Sequence, residues 1–178
     1  LGLKIDCSVT PHVSWKGSKG VPEGSGGVNY TKFPEKPYFV HLSDISLIGE
    51  SKLLELPVTI KINKIKNTFF QLAQFFGLFP SEKLLNGPAV DWLRPTGKNL
   101  KKLLRLVKGE IGKNHGYLHF MIHSSELMPG GSPSFKSKQE IEDLFDDLEV
   151  LFKCVSECFQ GITMSGYYDL FVKGQKYS

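Results

Sequence analysis

The chain lacks any unbroken apolar run of about 18 residues, the minimum for a helix that spans a membrane. We therefore expect no transmembrane segment in its 178 residues. No signal peptide is visible at its start either. Hydrophobic residues make up 40% of the chain, which excludes a fully disordered protein and predicts one domain with a hydrophobic core.

Cysteine is scarce, with three residues in the whole chain. Cys154 and Cys158 stand four residues apart in a helical pattern, and Cys7 lies far from both. An odd count without a dense framework argues against a disulfide scaffold. No nearby histidine or further cysteine completes a zinc site around the pair, so we predict buried thiols.

The excess of positive charge is also small, because 22 Lys and Arg stand against 18 Asp and Glu, for a net charge of +4. The basic residues concentrate at 61–66 and 98–108. Such clusters permit nucleic-acid binding, which would depend steeply on salt, but a solvated protein face explains them as well. We expect no nucleic-acid partner.

Several enzyme motifs are absent. Ser124 and Ser125 do not form the G-x-S-x-G elbow of a serine hydrolase. The "PGGSP" segment lacks the Gly-Lys-Ser/Thr ending of a phosphate-binding loop. The "GSGG" segment lacks the strand-to-helix setting of a dinucleotide site.

The first third of the chain predicts two strands on either side of a long loop. "LKIDCSV" at 3–9 and "LLELPVTIKI" at 53–62 both alternate apolar with other residues, as a strand with one buried face does. Pro57 indicates an edge position or a bulge in the second strand. Between them, residues 11–37 are rich in Gly, Pro and Ser and predict a long loop, either functional or mobile.

Two helices are predicted next. "NTFFQLAQFFGLFP" at 67–80 is apolar on most sides, which predicts a buried helix that ends near Gly77 and Pro80. "NLKKLLRLVKGEI" at 99–111 places its leucines on one helical stripe and its lysines on the other. Asn99 is the expected N-cap.

The last third predicts a strand followed by helices. Residues 117–123 are rich in strand formers. Ser137 and Glu140 then form a capping-box pattern ahead of a long helix that ends near Gly161. A short helix is predicted at 163–172. The alternation of strands and helices predicts an α/β fold.

Three histidines surround the strand in "YLHFMIHSSELMPGGSP" (117–133), at His115, His119 and His123. On a helix their spacing would suit a shared metal, but in a strand four residues span about 13 Å, which is too far. We predict that His119 packs in the core. His123 stands where the strand ends and a polar turn begins, so it is a candidate general acid or base. A histidine that caps the local backbone is the alternative, and both remain open.

Four other residues are candidate site residues, each with a structural alternative. Asp6 can orient a histidine at the end of a strand, or form a local Asx turn. Glu126 can bind substrate or begin the next turn, and Arg94 can bind an anion or pair with Asp91. Trp15 can stack on a ligand or fasten the long loop to the body.

Taken in order, three segments resemble the polysaccharide deacetylase (NodB-homology) family. "LGLKIDCSVTP" resembles its "D-S-S-V-x-P" stretch, and "LLELPVTI" resembles the strand that follows a loop there. "YLHFMIHSSELMPGGSP" resembles its late strand, which ends in a histidine motif of the H-x-x-E-L type. The resemblance covers most of the chain, from Leu1 to about Gly161. "IDCSV" departs from the "D-x-x-D-W" motif of the better-known branch, and Trp15 does not replace that tryptophan.

The resemblance implies a deformed (β/α) barrel that removes N-acetyl groups from glycans with a divalent metal, commonly zinc. It implies that His123 is the general acid and Asp6 the carboxylate that tunes it. Glu126, Trp15 and Arg94 are then candidate substrate-binding residues. The family's metal ligands lie in earlier motifs that this chain lacks. His115 and His119 match the family's His-x-x-x-His spacing but stand in the wrong segment.

The chain is thus expected to be the carboxyl-terminal half of such a barrel, a single domain over 1–178 without the amino-terminal strands. A cytoplasmic and a cell-envelope location both remain open, and so does the oligomeric state. The alternative function is a non-catalytic carbohydrate-binding or interaction domain on the same scaffold.

Overall fold

The computed structural model describes residues 2–77, 89–113 and 117–174. Across these residues the chain forms six short strands and four α-helices, a mixed α/β composition. It divides into two compact units, Leu1–Trp92 and Leu93–Ser178. The deformed barrel and the single domain stay predictions.

The first unit contains a four-stranded sheet in the order β1-β4-β2-β3. Strand β4 runs parallel to β1 and antiparallel to β2, and β2 pairs with β3 as an antiparallel neighbour. The buried residues Val9, Tyr38 and Val40 belong to the hydrophobic interior of this unit. The strands are β1 (Ile5–Asp6), β2 (Tyr38–His41), β3 (Asp44–Ile48) and β4 (Leu54–Glu55).

The strand predicted at 53–62 is divided around Pro57, which has no N–H to give to a sheet. Its second part is β5 (Ile60–Ile62), which pairs antiparallel with β6 (Val90–Trp92) in a separate two-stranded sheet. Every residue from 54 to 60 is buried, so the predicted exposed face is wrong there. Both sides of this segment are covered, and the alternation in the sequence does not report that.

The strand predicted at 3–9 is reduced to Ile5–Asp6. It ends because the Asp6 side chain accepts hydrogen bonds from the next two backbone N–H groups, and so draws the chain into a local turn. Residues 11–37 follow, with an isolated antiparallel bridge between Ser14 and Asn29.

Helix α1 (Lys64–Phe75) forms where a helix was predicted, but its predicted burial is wrong. Phe75 is 84% exposed, and Phe69 and Leu72 are more than half exposed. Apolar composition predicts a helix that packs against a neighbouring element, but it does not show whether the described part of the unit contains such an element. The predicted end near Pro80 lies outside the described residues.

The second unit is mainly helical. Helix α2 is packed against α3 through a cluster of buried side chains, and a second cluster forms around Phe135 at the start of α3. Phe120 borders both clusters. The helices are α2 (Leu100–Glu110), α3 (Lys138–Ser156) and α4 (Met164–Val172), with a 3-10 helix at Ser124–Leu127.

Both predicted N-cap positions are confirmed, but only one of the two side chains makes a capping hydrogen bond. The Ser137–Glu140 capping box is confirmed: the Ser137 Oγ accepts from the Glu140 N–H, and the Glu140 carboxylate accepts from the Ser137 N–H. The helix that follows ends at Ser156, before the predicted Gly161. Asn99 is the N-cap residue of α2, as predicted, but its side chain makes no capping hydrogen bond, because its amide is used in the preceding loop.

Residues 117–123, predicted as a strand, contain none in the structure. The Met121 N–H donates to the Leu93 carbonyl oxygen at 3.2 Å, but no ladder is assigned along the segment. Residues 117–122 are instead half-buried and irregular, so strand-forming residues pack here without joining a sheet. None of the described helices is long and apolar enough to span a membrane.

All three cysteines are free thiols. Cys154 is half-buried, but Cys158 is exposed, so the prediction of buried thiols is wrong for Cys158. It lies just beyond the end of α3, where the helix no longer carries it against the core.

Candidate functional site

A cluster of polar side chains in the second unit surrounds the turn after His123. His123 has an extended backbone and an exposed side chain, and the 3-10 helix Ser124–Leu127 begins at the next residue. The Glu126 N–H donates to the His123 carbonyl oxygen at 2.9 Å, which closes the turn. His123 is thus presented to solvent at a sharply defined change of chain direction.

Glu126 fixes this turn from inside. Its carboxylate is 3% exposed. One oxygen, Oε2, accepts the His123 backbone N–H at 2.9 Å, and the other, Oε1, accepts Arg94 Nη2 at 2.8 Å. A buried carboxylate is stable only when it is paired in this way, because desolvation of an isolated charge is costly.

Arg94 is itself held by its loop. Asn99 donates from Nδ2 to the Arg94 carbonyl oxygen at 2.9 Å and accepts the Thr96 N–H at 2.8 Å. At Gly97 the backbone has φ +72°, and an added Cβ would lie 2.9 Å from Cε1 of the buried Phe135. The loop therefore brings the guanidinium to Glu126 in one defined conformation.

The charge state of Glu126 follows from competing effects. Burial raises the pKa of Glu126, but the His123 N–H and the Arg94 guanidinium together outweigh it, so that the pKa lies below its ordinary value. The carboxylate is therefore ionised at neutral pH, and Arg94 balances its charge.

The structure thus brings His123, Glu126 and Arg94 together within the second unit. The acceptor for Arg94 is Glu126, which the sequence did not suggest. Both carboxylate oxygens of Glu126 accept hydrogen bonds from groups of the chain itself, so the structure gives Glu126 and Arg94 a positioning role. Their predicted contact with substrate, like the catalytic role of His123, stays a prediction.

Asp6 lies in the first unit, at the carboxyl end of β1. Its Oδ1 accepts the N–H groups of Cys7 at 2.8 Å and Ser8 at 3.2 Å, and its Oδ2 accepts the Ser8 hydroxyl at 3.0 Å. This is the local turn that was the structural alternative for Asp6. Three donors hold this carboxylate in one orientation. Its proposed catalytic role stays a prediction.

The neighbour of Asp6 across the sheet is Glu55, which sequence reasoning missed. The two residues are register partners in the parallel pair of β1 and β4. Glu55 is 1% exposed, and its Oε1 accepts the Val9 N–H at 3.1 Å. A signal was available, because Glu55 is an acidic residue in the middle of an apolar strand.

Trp15 is 36% exposed. Its Nε1 donates to Thr10 Oγ1 at 2.8 Å, and its ring meets the edge of Trp92 with centroids 6.1 Å apart. These contacts are those of a residue that fastens the long loop to the body of the first unit. The exposed part of the ring leaves the predicted contact with a sugar open.

His12 was also missed. It has φ +67°, a left-handed backbone that residues other than glycine rarely adopt. Its Nε2 lies 2.8 Å from Glu35 Oε1, and Lys61 Nζ lies 3.0 Å from Glu35 Oε2. The contact between His12 and Glu35 joins the start of the long loop to its end. No motif in the sequence connects these residues, which are far apart along the chain.

Of the remaining histidines, His119 is half-buried beside Tyr117, with ring centroids 6.3 Å apart. His115 lies outside the described residues. Among residues 2–77, 89–113 and 117–174, no three His, Cys, Asp or Glu side chains form a group suited to a metal ion.

Comparisons with known proteins add no relative to these observations. No protein-family model, curated protein or solved structure matches the chain.

Proposed function

We propose that this chain is part of a metal-dependent glycan N-deacetylase, in which His123 is the general acid. The proposal joins the resemblance of the H-x-x-E-L segment to the geometry of that segment. The observation that carries it is the double use of Glu126, which binds both the His123 backbone and the Arg94 side chain. A catalytic acid needs a fixed position together with access to substrate, and His123 combines the two.

The chemistry assigned to His123 is the collapse of the tetrahedral intermediate formed on the acetyl group. As the bond between the acetyl carbon and the sugar nitrogen breaks, the imidazolium gives its proton to that nitrogen, and the glycan leaves as a free amine. The bound metal of the family would activate the attacking water. In this proposal the Asp6 carboxylate supports the positive charge of the acid. A deformed (β/α) barrel is the fold that the proposal entails.

The test uses the full-length protein with an N-acetylated oligosaccharide, and measures both released acetate and bound metal. His123→Ala should lower kcat by about 10²-fold or more, the range for loss of a general acid, while metal content is unchanged. Ser124→Ala is the matched control, since Ser124 is the exposed neighbour on the same turn. Turnover of His123→Ala equal to that of Ser124→Ala would exclude His123 from the mechanism.

A non-catalytic carbohydrate-binding domain is the second candidate, and the partial exposure of Trp15 favours it. Aromatic faces supply apolar area for sugar rings. The same oligosaccharide distinguishes the two functions. Binding that Trp15→Ala abolishes, without acetate release by the full-length protein, supports the binding domain and contradicts the enzyme.

A further inference from the structure

Glu55 occupies an unusual place for an acidic side chain. Strand β4 lies between β1 and β2, so Glu55 has a register partner on each side, Asp6 on β1 and Tyr38 on β2. It is 1% exposed. An ionised carboxylate there would lack water and would face a second carboxylate, and each condition opposes ionisation.

No cation is among the groups of the described chain that shift the pKa of Glu55. Val9 supplies one backbone N–H, and Asp6 supplies negative charge. Tyr38 does not donate to Glu55, because its hydroxyl donates a hydrogen bond to the Ile45 carbonyl oxygen at 2.7 Å. Burial, and then the negative charges of Asp6 and Glu55, raise the pKa of the Cys7 thiol, so Cys7 is uncharged at neutral pH.

The proton shared by two neighbouring carboxylates goes to the one whose anion is less stabilised. Asp6 accepts from three donors and is only half-buried. Glu55 accepts from one and is fully buried. In agreement, burial and then the Asp6 charge raise the pKa of Glu55 to about 7, against the lowering effect of the Val9 N–H.

We propose that Glu55 is a positioning residue for Asp6: it carries a proton in the folded protein and donates it in a hydrogen bond to the Asp6 carboxylate. The Asp6 carboxylate is then fixed in direction at the end of β1. The consequence for catalysis rests on the proposed function, in which Asp6 supports the acid. The protonation of Glu55 does not depend on that function and is tested separately.

The first experiment follows unfolding of the first unit. Both tryptophans of the chain, Trp15 and Trp92, lie in this unit, so tryptophan emission reports its melting. The purified chain is melted at pH 5 and pH 8, and compared with Glu55→Gln, whose amide accepts from Val9 and donates to Asp6 as a protonated carboxyl does. Glu50→Gln, at an exposed acid of the same unit, is the control.

The wild type and Glu50→Gln should lose melting temperature from pH 5 to pH 8, because the raised pKa of Glu55 makes ionisation costly only in the folded state. Glu55→Gln should lose less and should melt above the wild type at pH 8. A Glu55→Gln protein that melts below the wild type by the same amount at both pH values would overturn the proposal. If this variant does not fold, the carboxyl carbon of Glu55, followed by carbon NMR in the wild type, gives the answer. A Glu55 that is already ionised at pH 5 would overturn the proposal as well.

The second experiment uses the full-length protein and the pH profile of kcat. Glu55→Gln should retain more activity than Glu55→Ala and should lack the alkaline decline that ionisation of Glu55 produces in the wild type. A profile of Glu55→Gln with the wild-type decline overturns the positioning role, even if the melting result holds. Absence of acetate release from the wild type instead contradicts the proposed function and leaves the melting test of Glu55 in force.

Discussion

Arg94 and Glu126 form an ion pair in which Nη2 lies 2.8 Å from Oε1, and the acidic partner is almost fully buried. The other oxygen of Glu126 holds the backbone of His123. The exposed histidine is therefore connected to an arginine 29 positions earlier in the sequence through a single buried carboxylate. The consequences of breaking this connection are specific.

Arg94→Met should destabilise the second unit by about 2 kcal/mol, since it leaves a buried carboxylate without its cation while a similar apolar stem remains. Arg105→Met, at the exposed arginine of α2, should cost much less. Denaturant unfolding measures both. In the Arg94→Met/Glu126→Gln double variant the losses should be smaller than the sum of the single ones, because the two residues share one interaction. Additive losses would contradict the pairing.

Acid should release the His123 turn. The pKa of Glu126 is lowered in the folded chain, so its stabilising effect is present above the unfolded value and is lost as pH falls through the lowered value. The His123 amide resonance should therefore shift with a midpoint below pH 4.5, the ordinary value for a glutamate. In Glu126→Gln this titration should be absent. A midpoint above 4.5 would show that burial outweighs Arg94.

The loop that carries Arg94 can be tested at Gly97. An alanine there meets Phe135 at 2.9 Å, whereas at Gly112, with φ +74° against +72°, the added Cβ has nothing within 4 Å. Gly112→Ala should cost about 1 kcal/mol for its left-handed backbone alone. Gly97→Ala should cost roughly 1–3 kcal/mol more, because Phe135 has to move in a packed core. Equal melting temperatures for the two variants would mean that Phe135 yields without cost.

Local signals predicted the helices well. The Ser137–Glu140 capping box identified the start of α3 because its chemistry depends on residues three positions apart. Asn99 shows the limit of such reasoning, since its amide side chain was used by the Arg94 loop rather than by α2. A residue type that suits a cap also suits a neighbouring turn, and only the folded loop decides between them.

Long-range pairing was the part that the sequence did not reveal. The candidate residue His123 was found from its position at the end of an apolar segment, but the residues that fix it are set by tertiary contacts. Glu55 was not identified because a period of two suggests a strand with one solvent-exposed face. Strand β4 is instead central in its sheet and covered on both sides. For α1 the error was opposite: the composition suggested burial, and the described chain leaves Phe69 and Phe75 exposed.

The left-handed backbone of His12 separates strain from side-chain contact in one further experiment. His12→Ala removes the contact with Glu35 and keeps a Cβ at φ +67°, whereas His12→Gly removes the contact and relieves the strain. His12→Gly should therefore be the more stable variant by about 1 kcal/mol. Urea unfolding followed by tryptophan emission measures the difference in stability between the two variants in the first unit, which contains His12 and Glu35. If His12→Ala is as stable as His12→Gly, the positive φ is not maintained without the histidine, and the Glu35 contact itself holds the backbone in that conformation.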